Sequence, residues 1–158
     1  MKTLIAYATK HGCTEKCANK LKDELGGQVD LINLEKVNKI DLSLYDQVVI
    51  GGSVYAGRIR KPVSEFCMQN LDELTKKRIG LFYCGIANGE DIEKEMNTSY
   101  PPELLKAASA KEFFGGELIL DQMNFLERYV IKKVAKVSSN LSQIRVDKIN
   151  EFAKVLNM

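Results

Sequence analysis

The chain has 158 residues, 45% of them hydrophobic and 28% charged, with a net charge of +2 and a single histidine. That length fits one domain spanning residues 1–158 with a core of its own, and so small a net charge carries no electrostatic footprint for nucleic acid. The five apolar residues after Met1-Lys2-Thr3 are too few for a secretion signal or a bilayer span, which points to the cytoplasm. The four cysteines form no CxxC pair and have no second histidine beside them, which argues against a metal cluster and against a disulfide framework.

Leu4-Ile5-Ala6-Tyr7-Ala8 reads as a first buried strand. After the junction Thr9-Lys10-His11-Gly12-Cys13-Thr14, the residues Cys17, Ala18, Leu21 and Leu25 recur at helical spacing until Gly26-Gly27 ends the helix. Two threonine hydroxyls, a glycine and the free N–H groups of a new helix converge at this junction. They either cap the helix or cradle a phosphate, and the site is expected to offer donors and no carboxylate to oppose an anion. Val29, Leu31 and Ile32 suit a strand near a sheet edge, and residues 38–46 are polar and turn-rich.

Gln47-Val48-Val49-Ile50-Gly51-Gly52 is a continuous apolar run closed by glycines, as expected of a strand buried on both faces. A helix opening at Pro62 carries Val63, Phe66, Cys67, Leu71 and Leu74 on one stripe. Residues 79–84 form another buried strand and residues 117–120 a shorter one. Residues 88–111, with Pro101-Pro102 at their centre, are a short helical insertion or a lid. Ile149, Phe152, Ala153 and Leu156 stripe a last helix behind a capping Asp147. Strands alternating with helices predict a parallel sheet covered on both sides, whose ligands bind beyond the carboxyl ends of the strands. Three permissive loops lie there: residues 9–14, then Gly52 with Ser53, Val54, Tyr55, Ala56 and Gly57, then Gly85, Ile86, Ala87, Asn88 and Gly89. The aspartate cluster of a receiver domain and the GxGxxG of a dinucleotide fold are both absent from the sequence.

Residues 9–14 resemble the FMN phosphate loop of flavodoxins, matching at Thr9, Gly12 and Thr14 and departing at His11. The wider chain is similar to the flavodoxin-domain branch that includes the menaquinone-dependent protoporphyrinogen dehydrogenases. Lys2-Thr3-Leu4-Ile5, the stretch from Tyr45 to Ser53, Gly57 and the segment Tyr129-Val130-Ile131-Lys132-Lys133 carry that resemblance. It implies an α/β flavodoxin-like three-layer sandwich, with a five-stranded parallel sheet in the order 2-1-3-4-5 and helices on both faces. It also implies noncovalent FMN, with the phosphate on Thr9, Lys10, His11, Gly12, Cys13 and Thr14. The ring would lie between Ser53, Val54, Tyr55, Ala56, Gly57 and the group Cys84, Gly85, Ile86, Ala87, Asn88. No catalytic side chain and no metal is expected, because the redox chemistry belongs to the flavin.

Some features allow two readings. Tyr55 stacks on the ring or is an exposed loop tyrosine, and an imidazolium at His11 donates to the phosphate or is solvated. Arg58, Arg60 and Lys61 raise the flavin potential or simply face water. Met123, Leu126, Val130, Val134 and Val137 make an amphipathic helix with Arg128, Lys132, Lys133 and Lys136, in a region, residues 121–158, holding seven basic and four acidic side chains. Residues 123–137 therefore make a peripheral membrane contact or pack on the domain. The expected partner is a redox protein or a quinone. The function is that of an FMN-binding oxidoreductase or electron-transfer protein; the alternatives are a menaquinone-dependent protoporphyrinogen dehydrogenase, whose substrate-facing region residues 88–111 do not match, and a flavin-free binding module.

Overall fold

The computed structural model describes residues 1–37, 39–87, 89–120, 123–134 and 141–158. Strand β1 (Lys2–Ala8) leads through the first loop into helix α1 (Cys13–Glu24), and β2 (Gln28–Asn33) follows. Then come β3 (Gln47–Tyr55), a two-residue β4 (Arg58–Ile59), α2 (Lys61–Gln69), α3 (Leu71–Leu74) and β5 (Arg78–Cys84). Two short helices, α4 (Gly89–Ser99) and α5 (Pro102–Ala107), precede β6 (Ala110–Phe113). The chain ends with β7 (Gly115–Leu118), α6 (Phe125–Val134), β8 (Leu141–Ile144) and α7 (Val146–Asn157).

The five parallel strands lie in the order β2-β1-β3-β5-β6, which is the expected 2-1-3-4-5 winding. Because successive strand residues point to opposite faces, each central strand feeds two core layers. Leu4, Ala6, Val48, Ile50, Leu81 and Tyr83 meet Val63, Phe66 and Leu74 on one side, and Ile5, Tyr7, Val49 and Phe82 meet Cys17, Leu21, Ile149 and Phe152 on the other. Burial of β1, β3 and β5 on both faces is what their unbroken apolar runs demand.

Three expectations need correction. The fifth strand of the sheet is Ala110–Phe113 rather than 117–120; it pairs with β5 from Gly80↔Ala110 to Tyr83↔Phe113. Its polar residues Lys111 and Glu112 hid it inside a stretch that read as irregular. Glu117 and Leu118 belong instead to an antiparallel ribbon of β7 with β8, registered Gly115↔Ile144 to Leu118↔Leu141. The ribbon folds tightly over the end of β5: Gly85 N donates to Gly115 O at 3.0 Å, and a Cβ on Gly116 would sit 2.2 Å from Gly85 O.

Gly51 and Gly52 do not end β3, which runs on to Tyr55. They are packing glycines, and a Cβ at Gly51 would lie 2.0 Å from the Phe82 ring. Finally, Asp147 does not cap α7. Arg145 holds the N-cap position without a side-chain cap, and Asp147 sits in the first turn, where its charge still favours the positive helix end. Residues 88–111 resolve, where described, into α4 and α5 before entering β6.

Candidate functional site

The first loop is built by the turn from β1 into α1. Gly12 stands at the N-cap position with φ 95°, a left-handed conformation that a glycine adopts without a Cβ penalty. No side chain caps α1. Gly12 N donates to Thr9 Oγ1 at 2.9 Å and Lys10 N donates to Ser53 Oγ at 3.2 Å, which fastens the loop to β3. Thr14 is wholly buried, and its Oγ1 has no hydrogen-bond partner among the described residues. A buried hydroxyl left without a partner is costly, so the first turn of α1 offers uncapped N–H groups beside an unsatisfied side-chain oxygen.

The second loop is a hairpin. Tyr55 pairs with Arg58 across Ala56 and Gly57, both at positive φ (51° and 77°), as a type I′ turn requires. The Lys10 ammonium lies 4.2 Å from the centre of the Tyr55 ring, joining this hairpin to the first loop. Cys84, Gly85, Ile86 and Ala87 continue from β5, and Asn88 lies outside the described residues. A crevice of about 680 Å³ opens between the three loops. Thr9, His11, Cys13, Ser53 through Gly57 and Cys84 through Ile86 line it, whereas Lys10, Gly12, Thr14 and Ala87 are not among the lining residues; Thr14 lies in the first turn of α1, next to the lining residue Cys13.

The remaining lining comes from outside the three loops, in part from the stretch 88–111 read as a short helical insertion or a lid. Asp91 and Glu95 of α4, Gly116 to Leu118 of β7, and Met123 and Val130 close the crevice. Burial holds the Glu95 carboxyl above the usual carboxylate range. Most consequential is Glu127 of α6, whose carboxylate is 2.7 Å from His11 Nε2 and 3.8 Å from Lys10 Nζ. The first loop thus does meet a carboxylate, supplied from more than a hundred residues away. The Nε2 of His11, a partly exposed side chain, is thus engaged by Glu127.

The amphipathic helix of residues 123–137 is present as α6 up to Val134, and residues 135–137 lie outside the described residues. Its stripe is divided. Met123 is buried and Val130 faces the crevice, but Leu126 is exposed together with Phe125 and Tyr129. The three cations after the hairpin are likewise partly engaged, since Arg60 bonds Glu35 and Lys61 lies 3.6 Å from Glu65.

The cysteines give a further result that spacing along the chain concealed. Cys13, Cys17 and Cys84 are buried together beneath the first loop, while Cys67 belongs to the opposite core layer, where burial pushes its thiol up to about 12. Hydrogen bonds from the thiols of Cys17 and Cys84 hold Cys13 down, and the same contacts raise both donors. Position at the start of α1 favours a thiolate at Cys13 in the same sense.

A parallel sheet wound 2-1-3-4-5, with a crevice at the carboxyl ends of β1, β3 and β5, defines an open α/β domain that takes its ligand at the switch in winding. The family model of the flavodoxin domain matches residues 4–144, and the chain belongs to that family. Among curated proteins it is similar to protoporphyrinogen IX dehydrogenase [quinone] of Escherichia coli (strain K12), with 25% identity over 99% of this chain and 92% of that protein. The enzyme of the same name from Leishmania major is 24% identical over 87% of this chain and 63% of its own length. Among solved structures, a short-chain flavodoxin associated with a bacterial microcompartment superposes with TM-score 0.65 at 19% identity, covering 99% of this chain and 96% of that one. The Streptococcus pneumoniae TIGR4 flavodoxin gives TM-score 0.60 at 17% identity, covering 99% and 97%. These likenesses establish the fold. No helix among the described residues is long and apolar enough to cross a membrane.

Proposed function

We propose that this protein binds FMN noncovalently in the crevice and works as a flavin-dependent oxidoreductase or electron carrier. The observation that carries the reading is the buried Thr14 Oγ1, without a partner among the described residues, beside the uncapped start of α1, a donor set suited to a phosphate monoester. Thr9, Thr14 and the backbone N–H groups of His11, Cys13 and Thr14 hold the phosphate in this reading, while those of Lys10 and Gly12 tie the loop together. Tyr55, Ile86 and the small residues of the hairpin offer faces for a flat apolar ring, and a crevice of about 680 Å³ has the size of a cofactor site. Bound FMN supplies the one- and two-electron redox chemistry. The chain's own task is to fix the phosphate, orient the ring through the tie between Lys10 and Ser53, and keep water from its inner edge with Met123 and Val130. The test is the absorbance spectrum of the purified protein, before and after dithionite, followed by titration with FMN. Stoichiometric flavin that bleaches on reduction is the expected result; a protein that neither carries nor takes up FMN refutes the assignment and leaves the flavin-free module.

A second reading is favoured by the near full-length likeness to a quinone-linked protoporphyrinogen IX dehydrogenase and by the exposed face of α6. There Phe125, Leu126 and Tyr129 stand open among Lys132 and Lys133, a composition suited to an anionic lipid surface that holds a quinone. Turnover of protoporphyrinogen with menaquinone in vesicles supports this reading, and no turnover in either vesicles or detergent removes it.

A further inference from the structure

We propose that Cys13, Cys17 and Cys84 form a binding site for one soft monovalent cation, Cu(I), beneath the first loop. The three sulfur atoms lie within 4.8 Å of one another, and all three residues are buried. Metal–sulfur bonds of about 2.3 Å set the sulfurs of a shared ion about 4 Å apart in a trigonal plane, so the cluster needs only small rotamer adjustments to close on one. The side chains come from rigid elements: Cys13 and Cys17 are one turn apart on α1, and Cys84 is the last residue of β5 on the sheet face that α1 covers.

The donor set selects the ion. No histidine or carboxylate joins the three sulfurs among the described residues, and the layer around them is apolar, with Tyr7, Val49 and Phe114 among its members. A closed zinc site takes four ligands, whereas Cu(I) prefers soft sulfur and is satisfied by three. Cys13 and Cys84 line the crevice, which provides an entry path, and the positive end of the α1 dipole offsets part of the thiolate charge, while the nearby Lys16 is paired with Glu117. Each ligating sulfur binds as thiolate and releases its proton, and copper remains Cu(I) throughout. The three sulfurs do not need flavin to be bound, but the crevice that leads to them is the one assigned to FMN.

The full-length protein, reduced and kept under anaerobic conditions, is to be titrated with Cu(I) against a chromogenic Cu(I) chelator. One copper per chain should be retained, with X-ray absorption showing three sulfur neighbours and no nitrogen or oxygen. Cys17→Ala and Cys84→Ala should each weaken retention by at least about 100-fold, more than the loss of an outer hydrogen-bond partner costs. Cys67→Ala, in the other core layer, should bind as the unchanged protein does. The proposal is overturned if the chelator strips the unchanged protein completely, if its copper has nitrogen or oxygen neighbours, or if the Cys17 and Cys84 variants retain copper equally well. Should either variant fail to fold by thermal unfolding, stoichiometry and absorption of the unchanged protein decide the matter alone.

Discussion

Replacing Thr14 by valine should move two measured quantities in opposite directions. The Thr14 hydroxyl is buried without a partner among the described residues, a situation that costs about 1–3 kcal/mol. Valine keeps the branched shape and removes the polar atom, so the flavin-free protein should gain on the order of 1 kcal/mol, or about 2–4 °C in Tm for a chain of this size. If the same hydroxyl donates to the FMN phosphate, its loss removes one hydrogen bond to a charged group, worth about 1.5–3 kcal/mol. At about 1.4 kcal/mol per factor of ten, FMN affinity should fall roughly 10- to 150-fold. Urea unfolding of the flavin-free form and fluorescence titration with FMN measure the two effects separately. A variant that binds FMN with unchanged affinity refutes the phosphate assignment, and one whose flavin-free form is destabilised shows that Thr14 serves the fold instead.

Other expectations concern packing and charge. Gly51→Ala drives a methyl into the Phe82 ring, which is itself stacked on Phe114 at 4.5 Å; a loss of about 1–3 kcal/mol in urea unfolding is expected, partly recovered with Phe82→Leu, and an unchanged midpoint contradicts the packing role. Glu127→Gln removes a carboxylate from His11 and Lys10, so FMN should bind about fivefold tighter, for roughly 1 kcal/mol of repulsion relieved at close range; weaker binding in the same titration counts against that placement of the phosphate. Burial, with Glu15 beside one and Asp30 beside the other, pushes Tyr7 and Tyr45 up to about 12. Both stay protonated in the fold where the unfolded chain ionises near pH 10. Their contribution is therefore complete below pH 10 and is lost as pH rises towards 12. Thermal midpoints from pH 8 to 11.5 should decline above 10, less steeply in Tyr45→Phe.

The parallel sheet and its three loops were legible because each rests on local pattern. Unbroken runs such as Leu4–Ala8 and Val48–Ile50 need burial on both faces, and Gly12 before an amphipathic stripe marks a helix start whatever surrounds it. The features that local pattern did not reveal are relations between distant residues. Gly51 resembled a strand terminus because the space it clears belongs to Phe82, thirty-one positions later. The sheet's last strand is short and polar at Lys111 and Glu112, and its identity depends on pairing with β5. The carboxylate at the first loop and the trio of thiols likewise depend on where α6, α1 and β5 meet, and no spacing rule along the chain encodes that.

The ribbon of β7 and β8 has a consequence for how such a chain diversifies. Leu118 and Leu141 are cross-strand neighbours, so everything between them leaves and re-enters the domain at a single clamped point. Among the described residues, that stretch supplies Met123 and Val130 to the crevice and Glu127 to the first loop, yet contributes no strand to the parallel sheet. It is a cassette: exchanging its contents alters what approaches the loops while the doubly wound body beneath keeps its register.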